Sequence, residues 1–263
     1  MRIDLHNHTP LCNHATGTPE QYLKAAKNLG IDVYGFACHA PMDFDTQYRM
    51  KKQDVPMYLE ELCALKHKYQ NDIEVLSGFE VDFITQKEFL MESCVLEADV
   101  DYLIGSVHFL GNWGFDNPEF IGEYAKKDMH KCWILYLQSI QKMAQTGLFQ
   151  IVGHLDLLKI FGYTMPSTLE SELEHTLIAI KEANMAIEIN TSGLRKAINE
   201  LYPSSKILAF AYKMQIPITF GSDAHSIEHV GFGYQTALQT AFDIGYKSCV
   251  IYRKKEPITI EIA

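Results

Sequence analysis

Seven short apolar runs, separated by helical segments, constrain the fold of this chain more than any other feature. The runs lie at residues 3–6, 33–39, 74–83, 102–108, 149–154, 185–190 and 216–223. Almost continuous apolar character is typical of parallel strands that are buried on both faces. Alternation of such strands with helices predicts an α/β fold with a parallel sheet.

The ends of several elements can also be predicted. Thr18 stands before Pro19 and three residues before Gln21, which predicts a capping box at a helix start. Ser167 and Glu170 have the same spacing, and Asp54 precedes another helical segment. After residue 246, the sequence predicts two further short strands around Glu256-Pro257.

Length and composition are those of an ordinary globular protein. The chain has 263 residues, of which 47% are hydrophobic and 21% charged. Without a linker, repeat or low-complexity segment, the simplest prediction is one domain over residues 1–263. Since no apolar run reaches membrane-spanning length and the first residues already resemble a strand, we expect a cytoplasmic protein that has no membrane partner.

Net charge and cysteine content indicate which partners and which cellular compartment to expect. The formal net charge of −10 argues against a nucleic-acid partner, which requires a basic surface. The six cysteines are scattered, as is usual in a reducing compartment. Cys12 and Cys38 stand near candidate metal ligands. Buried structural thiols are the favoured interpretation for both, and thiolate ligation is the alternative.

Metal-capable side chains follow the predicted strands. They are His6, His8, His14, His39, Glu80, His108, His154, Asp223 and His225. In parallel barrels, functional side chains come from the C-terminal strand ends and the loops that follow them, so these residues should converge on one pocket. His14 falls in the loop after the first strand, on the same side of the predicted barrel. Three other histidines, His67, His130 and His175, have the pattern of helix surfaces, and His229 is left open as a loop residue near the site.

Nine ligands exceed the needs of a single ion, because a catalytic zinc site uses about three protein ligands. Three divalent ions that share a carboxylate would use all of them. Clustered ions acidify a bridging water and hold the attacking and leaving oxygens, which suits phosphoester hydrolysis. Histidine nitrogens together with carboxylates suit Zn, Mn or Fe, and the sequence does not decide among these metals.

These motifs resemble the polymerase and histidinol phosphatase (PHP) superfamily. The resemblance rests on His6-Asn7-His8, on the segments that contain Glu80, His108 and His154, and on Gly221 to His225. Residues 188–196 and 202–204 are similar to its histidinol-phosphatase branch. The resemblance covers essentially the whole chain and implies a distorted seven-stranded (β/α)7 TIM-like barrel with the metal site at the C-terminal ends of the strands.

The resemblance also implies how the ligands are grouped. His6, His8, Glu80 and Asp223 would hold the first ion. His14, His39 and His225 would hold the second. Glu80, His108 and His154 would hold the third, so that Glu80 bridges two ions.

Two basic residues are candidates for binding the substrate phosphate. Arg195 offers a planar guanidinium that matches phosphate oxygens, and a surface arginine is its alternative interpretation. Five residues after His154, where the resemblance implies a second arginine, the chain has Lys159. Asp82 and Asp156 lie on ligand-bearing segments, where they either orient ligand imidazoles or cap helices.

The predicted function is that of a histidinol-phosphatase, which hydrolyses L-histidinol phosphate through a metal-bridging hydroxide in histidine biosynthesis. Asp223 or a metal-bound water would protonate the leaving oxygen. One alternative is a phosphoesterase of the same superfamily that acts on a nucleotide or a sugar phosphate. Another is a non-catalytic metal-binding protein that has kept the barrel. The oligomeric state is left open.

Overall fold

Seven parallel strands form the centre of the structure, a computed structural model that describes residues 1–262. In chain order the strands are β1 (Ile3–Asp4), β2 (Val33–His39), β3 (Glu74–Asp82), β4 (Tyr102–Ser106), β5 (Phe109–Leu110), β6 (Trp113–Gly114), β7 (Ile151–Val152), β8 (Ala186–Asn190), β9 (Ile218–Gly221), β10 (Ser248–Arg253) and β11 (Glu256–Glu261). The central sheet has the order β1-β2-β3-β4-β7-β8-β9. Each of the seven predicted runs contains one of its strands.

Backbone hydrogen bonds between the first and last strand regions nearly close this sheet into a barrel. The amide of Leu5 donates to the carbonyl of Phe220 over 2.8 Å, and the amide of Asp223 donates to the carbonyl of His6 over 2.7 Å. An isolated parallel bridge joins Asn7 to Ala224. The predicted (β/α)7 TIM-like barrel is therefore confirmed.

Helices surround the barrel. They are α1 (Pro19–Asn28), α2 (Val55–Tyr69), α3 (Ser93–Leu96), α4 (Met129–Gln145), α5 (Glu170–Glu182), α6 (Ser205–Lys213) and α7 (Tyr234–Ile244), with short 3-10 helices in the loops. The capping box of Thr18 and Gln21 forms as predicted. The other two predicted caps do not form. Ser167 begins a 3-10 turn that precedes α5, and the side chain of Asp54 makes no capping hydrogen bond.

The hairpin of β10 and β11 covers the N-terminal end of the barrel, opposite the predicted site. Two short strands were expected in this region, and the structure has them. The hydroxyl of Tyr252 donates to the carbonyl of Gln150, just before β7, over 2.9 Å. The amide of Lys255 donates to the carbonyl of Asp101, just before β4, over 2.8 Å. Among residues 1–262, no helix is both long and apolar enough to cross a membrane.

We expect Tyr252→Ala to lower the free energy of unfolding by about 3–5 kcal/mol, the usual cost of removing a large buried aromatic side chain. Tyr252 is buried in the same hydrophobic cluster as the barrel residues Ile104 and Ile151. Urea unfolding measures the change. Thr259→Ala on the exposed face of β11 is the matched control, expected to cost less than about 1 kcal/mol. Equal losses in the two variants would mean that the hairpin does not seal the barrel core.

Candidate metal centre

All nine predicted ligands lie at the C-terminal end of the barrel. Glu80 and His39 are at the ends of β3 and β2, and the other seven are in the segments that follow β1, β4, β7 and β9. His6 and His8 lie in extended chain just beyond β1, so their side chains point to the same side. Parallel strands bring these ends together, which is why residues more than 200 positions apart share one site.

Glu80 lies at the centre of the imidazoles. Its Oε2 atom is 2.8 Å from Nδ1 of His39 and 3.4 Å from Nε2 of His6. Its Oε1 atom is 2.9 Å from Nε2 of His154 and 3.5 Å from Nε2 of His108. A buried carboxylate with nitrogen atoms around both oxygens has the arrangement expected of a bridging metal ligand.

The electrostatics of this cluster favour ionised carboxylates. Burial raises the pKa of Glu80, but the positive charge of His39, His6 and His108 outweighs it and holds that pKa well below its usual value. Burial likewise raises the pKa of Asp223, and the neighbouring imidazoles again outweigh it, so its pKa is also well below the usual range. Both carboxylates are thus in the form that binds cations.

The remaining ligands lie around His8. Its Nε2 atom is 3.1 Å from Oδ1 of Asp223. Its ring centroid is 3.9 Å from that of His225 and 4.3 Å from that of His39. The ring of His14 lies 4.6 Å from that of His225.

Five groups of donor atoms in this region are close enough to hold an ion, because the atoms in each lie within 4.8 Å of one another. Two groups contain cysteine: His8 with Cys12 and Cys38, and Cys12 with His14 and His225. The other three consist only of predicted ligands: His6 with His8 and Glu80, Glu80 with His108 and His154, and His8 with His39 and His225. The first two of these three agree with the grouping that the family resemblance implies, except that Asp223 is not part of the first. In the third, His8 stands where His14 was expected, and His14 lies beside His225.

The hydrogen bonds of the imidazoles fit metal ligation. In four of these rings, Nδ1 lies within hydrogen-bond distance of a protein acceptor. The acceptor is Glu188 for His6, the carbonyl of Cys12 for His14, Asp82 for His108 and the carbonyl of Asp223 for His225. Polar atoms on the cluster side are buried without a hydrogen-bond partner among the described residues, including Nε2 of His6, Nε2 of His225 and Oε2 of Glu80. Such outer hydrogen bonds orient ligand imidazoles, and unpartnered buried atoms are what divalent cations would satisfy.

Glu188 on β8 is a site residue that the sequence analysis did not single out. Its Oε1 atom is 2.8 Å from Nδ1 of His6, and its Oε2 atom accepts from the amide of His154 over 3.0 Å. The side chain of Asn190 donates to Glu188 and, over 3.3 Å, to Asp223. A carboxylate inside an otherwise apolar strand was the signal that could have identified it.

Two of the predicted ligands have left-handed backbone conformations. His154 has a φ of 25° and Asp223 a φ of 53°. Such conformations cost free energy in residues other than glycine and cluster at functional sites. The amide of each residue is held by a hydrogen bond, to Glu188 and to the carbonyl of His6 respectively. The surrounding structure therefore fixes how both side chains are aimed.

Asp82 orients His108, which is one of its two predicted roles. Its Oδ1 atom is 2.8 Å from Nδ1 of His108, and its Oδ2 atom accepts from Nη1 of Arg49 over 2.5 Å. Arg49 is buried and also lies 3.6 Å from Asp45. Arg49 could not be predicted as a site residue from the sequence, because it lies in a loop without regular periodicity. Asp156 instead binds Lys159 and the amide of Ser204, and the structure shows no hydrogen bond from it to a ligand imidazole.

We expect Asp82→Asn to weaken metal binding by about ten- to a hundredfold, the usual effect of losing an outer hydrogen bond to a ligand imidazole. The asparagine amide cannot both accept from His108 and neutralise Arg49. Metal affinity measured by competition with a chelator tests this. Asp156→Asn is the matched control, since it removes an equally buried carboxylate that forms an ion pair away from the imidazoles. Similar losses of affinity in both variants would show that metal binding depends on a buried carboxylate in general and not on the contact with His108.

A cavity of about 480 Å³ opens above the cluster. Arg195 lines it, next to the ligands Asp223 and His225. Nη2 of Arg195 donates to the carbonyls of Ser222 and Asp223 over 2.8 and 3.0 Å, and its Nη1 is buried without a partner among the described residues. The guanidinium is thus fixed beside the cluster with donor capacity to spare.

Lys159 does not lie where a phosphate ligand should. Its side chain is 2% exposed and is absent from the cavity lining. Nζ lies 2.9 Å from Asp156, donates to Glu200 over 2.7 Å and donates to the carbonyl of Leu201 over 2.8 Å. Because the ammonium group has three donors and all three are used, the geometry does not support the expectation that Lys159 binds substrate.

The other histidines lie where the sequence analysis expected them. His67, His130 and His175 are exposed on α2, α4 and α5. His229, which was left open, lines the cavity.

Two segments of the chain match known protein families. Residues 4–192 match the PHP domain family, and residues 204–243 match a PHP-associated family. The second match contains β9 and the ligands Asp223 and His225, so the barrel and its cluster draw on both segments.

The chain is similar to curated proteins along nearly its whole length. It is 38% identical over 257 residues to a probable histidinol-phosphatase of Deinococcus radiodurans, covering 97% of this chain and 98% of that protein. It is 31% identical over 271 residues to a histidinol-phosphatase of Bacillus subtilis, covering 91% of this chain and 99% of that protein. In fold it is similar to histidinol phosphate phosphatase from Lactococcus lactis, solved with zinc, L-histidinol and phosphate. The TM-score is 0.85 at 20% identity, over 98% of each chain.

Proposed function

The chain belongs to the PHP domain family, and from this premise we propose that it is a metal-dependent histidinol-phosphatase that hydrolyses L-histidinol phosphate to L-histidinol and phosphate in histidine biosynthesis. The observation that carries the proposal is a nine-ligand cluster beneath a cavity lined by Arg195, in a chain that matches histidinol-phosphatases end to end. We further propose that residues 1–263 act as one phosphatase domain, since both matched segments contribute ligands.

We propose that the cluster binds three divalent ions, of Zn, Mn or Fe. Three of the five groups of donor atoms consist only of predicted ligands and support this number, with Glu80 and His8 each common to two of these three. When bound, such ions stabilise negative charge on phosphate oxygens and make water more acidic.

Elemental analysis of purified, active protein should therefore find close to three divalent ions per chain. The physical reason is that each group supplies at least three donors, which is the usual number of protein ligands for a catalytic ion. The matched control is the same measurement on Glu80→Gln, which we expect to lose metal. A reproducible content of one ion in fully active protein would contradict the three-ion proposal.

Arg195 is the proposed phosphate ligand of the protein. Its guanidinium is held by backbone carbonyls rather than by a carboxylate, so its charge is not neutralised by an ion pair. It also lies over the ring of Phe232, 5.3 Å from the ring centroid, which fixes its plane. A charged, oriented guanidinium that faces the cavity is suited to non-bridging phosphate oxygens.

Asp223 is the proposed proton carrier. With its pKa held well below the usual range, it is ionised at neutral pH. Its position in the lining of the cavity, rather than its low pKa, suits it to pass a proton from the attacking water to the leaving alcohol oxygen of histidinol. Asn190, which donates to Oδ2 of Asp223, keeps this oxygen in place.

Two carboxylates favour histidinol phosphate over other small phosphate esters. Asp45 and Asp116 line the same cavity as Arg195. Among the described residues, the side chain of Asp116 has no hydrogen bond or salt bridge, and Asp45 has only a 3.6 Å contact with Arg49. L-histidinol phosphate carries an ammonium group that these carboxylates can bind. Sugar phosphates and nucleotides carry no such amine.

Phosphate release from a panel of esters tests the proposal. With metal-loaded protein, we expect kcat/KM for L-histidinol phosphate to exceed that for nucleoside monophosphates and sugar phosphates by about tenfold or more, the effect of one charge-assisted hydrogen bond. Comparable values across the panel would favour a phosphoesterase of other specificity. No release from any ester would contradict phosphatase activity altogether.

A further inference from the structure

Two buried thiols lie directly beside the metal cluster. Cys12 ends the 3-10 helix Pro10–Cys12, and Cys38 is the residue before His39 in β2. Both side chains are fully buried. The sulfur atoms of both cysteines and a ring nitrogen of His8 all lie within 4.8 Å of one another.

His8 gives an independent sign that this group binds something. The ring is fully buried, and neither of its nitrogens has a hydrogen-bond partner among the described residues. Nε2 faces Asp223 and Glu80 at 3.1 and 3.7 Å, so the proposed phosphatase cluster accounts for that atom. Nδ1 has no hydrogen-bond partner among the described residues, whereas Nδ1 of His6 is held by Glu188. A buried nitrogen without a partner is unfavourable unless a ligand satisfies it.

We propose that Cys12, Cys38 and a ring nitrogen of His8 form a second metal site, specific for thiophilic d10 cations such as Cd²⁺, Cu⁺ or excess Zn²⁺. Thiolates select these soft ions, whereas the nitrogen and oxygen donors of the main cluster suit harder ones. Bond lengths of about 2.3 Å to sulfur and about 2.0 Å to nitrogen require donors about 3.5–4 Å apart, so the three atoms need to move only slightly.

Thr9 contributes two further polar groups beside the sulfur of Cys38. Its hydroxyl donates to Sγ of Cys38 over 3.3 Å, and its carbonyl oxygen is 3.6 Å from the same sulfur. Binding of a divalent ion would release one proton from each thiol. The two thiolates would then balance the charge of the ion, which a fully buried site requires.

This site would compete with the phosphatase cluster, because both use His8. To bind a second ion, the imidazole must either release Nε2 from the cluster or lose its remaining proton, and loss of that proton is unfavourable. Occupation by a thiophilic ion should therefore withdraw His8 from Asp223 and Glu80 and inhibit the enzyme. The inhibition, unlike the binding site itself, rests on the proposed function.

Cadmium titration tests the binding site without reference to activity. Fully reduced protein, stripped of metal and reloaded with Mn²⁺, is titrated with Cd²⁺ while the sulfur-to-cadmium charge-transfer absorption is recorded. We expect the band to saturate at one equivalent, and X-ray absorption at the cadmium edge to report two sulfur neighbours. Cys12→Ser and Cys38→Ser should each lose at least half of the band. Cys63→Ser, at an exposed position on α2, is the control that keeps it.

Two outcomes would overturn the site. One is wild-type protein whose bound cadmium has only nitrogen and oxygen neighbours, a result that does not depend on whether any variant folds. The other is a full band in the folded Cys12→Ser/Cys38→Ser double variant. Phosphatase assays are separate, so a protein with sulfur-bound cadmium but no phosphatase activity would contradict the proposed function and leave this site intact.

Discussion

Glu80→Gln should abolish most of the activity, lowering kcat/KM by at least about a thousandfold. Glu80 lies among five imidazoles, and its oxygens belong to two of the three groups of donor atoms that contain no cysteine. Glutamine keeps the shape but removes the charge and turns an N–H group towards the ligands. Loss of ions that supply several kcal/mol of charge stabilisation in the transition state gives an effect of this size.

Steady-state kinetics and metal content should be measured together on this variant. Glu74→Gln is the matched control, since Glu74 begins the same strand and forms an exposed ion pair with Arg253 at the opposite end of the barrel. We expect the control to keep its metal and its activity. A Glu80→Gln variant that retains full metal content and full activity would remove Glu80 from the cluster.

Arg195→Ala should lower kcat/KM by about ten- to a hundredfold, corresponding to about 1.5–3 kcal/mol for a charge-assisted hydrogen bond. Metal content should not change, because Arg195 donates to backbone carbonyls and not to a ligand side chain. This combination of lost rate and retained metal separates a phosphate-binding role from a role in building the cluster.

Arg195→Lys should restore only part of the lost rate, because an ammonium group lacks the planar, two-pronged geometry of guanidinium. Arg253→Ala, which removes an arginine at the far end of the barrel, should leave kinetics unchanged. If Arg195→Ala has the kcat/KM of the wild type, the phosphate must be bound by another residue.

The sequence by itself determined the strands and the positions of the candidate ligands. Strands that are apolar almost throughout can be recognised locally, and each predicted run overlaps an observed strand, as β2 does over all of residues 33–39. Because parallel strands share one C-terminal edge, polar residues at those ends had to meet, whatever the details of packing. Motif resemblance then supplied the family and its chemistry.

The direction in which a polar side chain points was not predictable in the same way. Lys159 and Arg195 are both basic residues in loops at the C-terminal end of the barrel. Lys159 nevertheless forms ion pairs with Asp156 and Glu200, whereas Arg195 lines the cavity. A buried ion pair depends on partners that are distant in the sequence, such as Glu200, 41 residues away from Lys159. The periodicity of a short segment does not predict such partners.

Only the tertiary structure decided which residues support the ligands. Glu188 contacts His6 across 182 residues of sequence, and Arg49 reaches Asp82 from a loop without periodicity. Cys12 and Cys38 likewise meet only because β2 lies beside the segment after β1. Barrel closure and strand register bring these side chains together. Sequence pattern locates each strand along the chain, whereas contacts between distant strands depend on the register in which the strands pack.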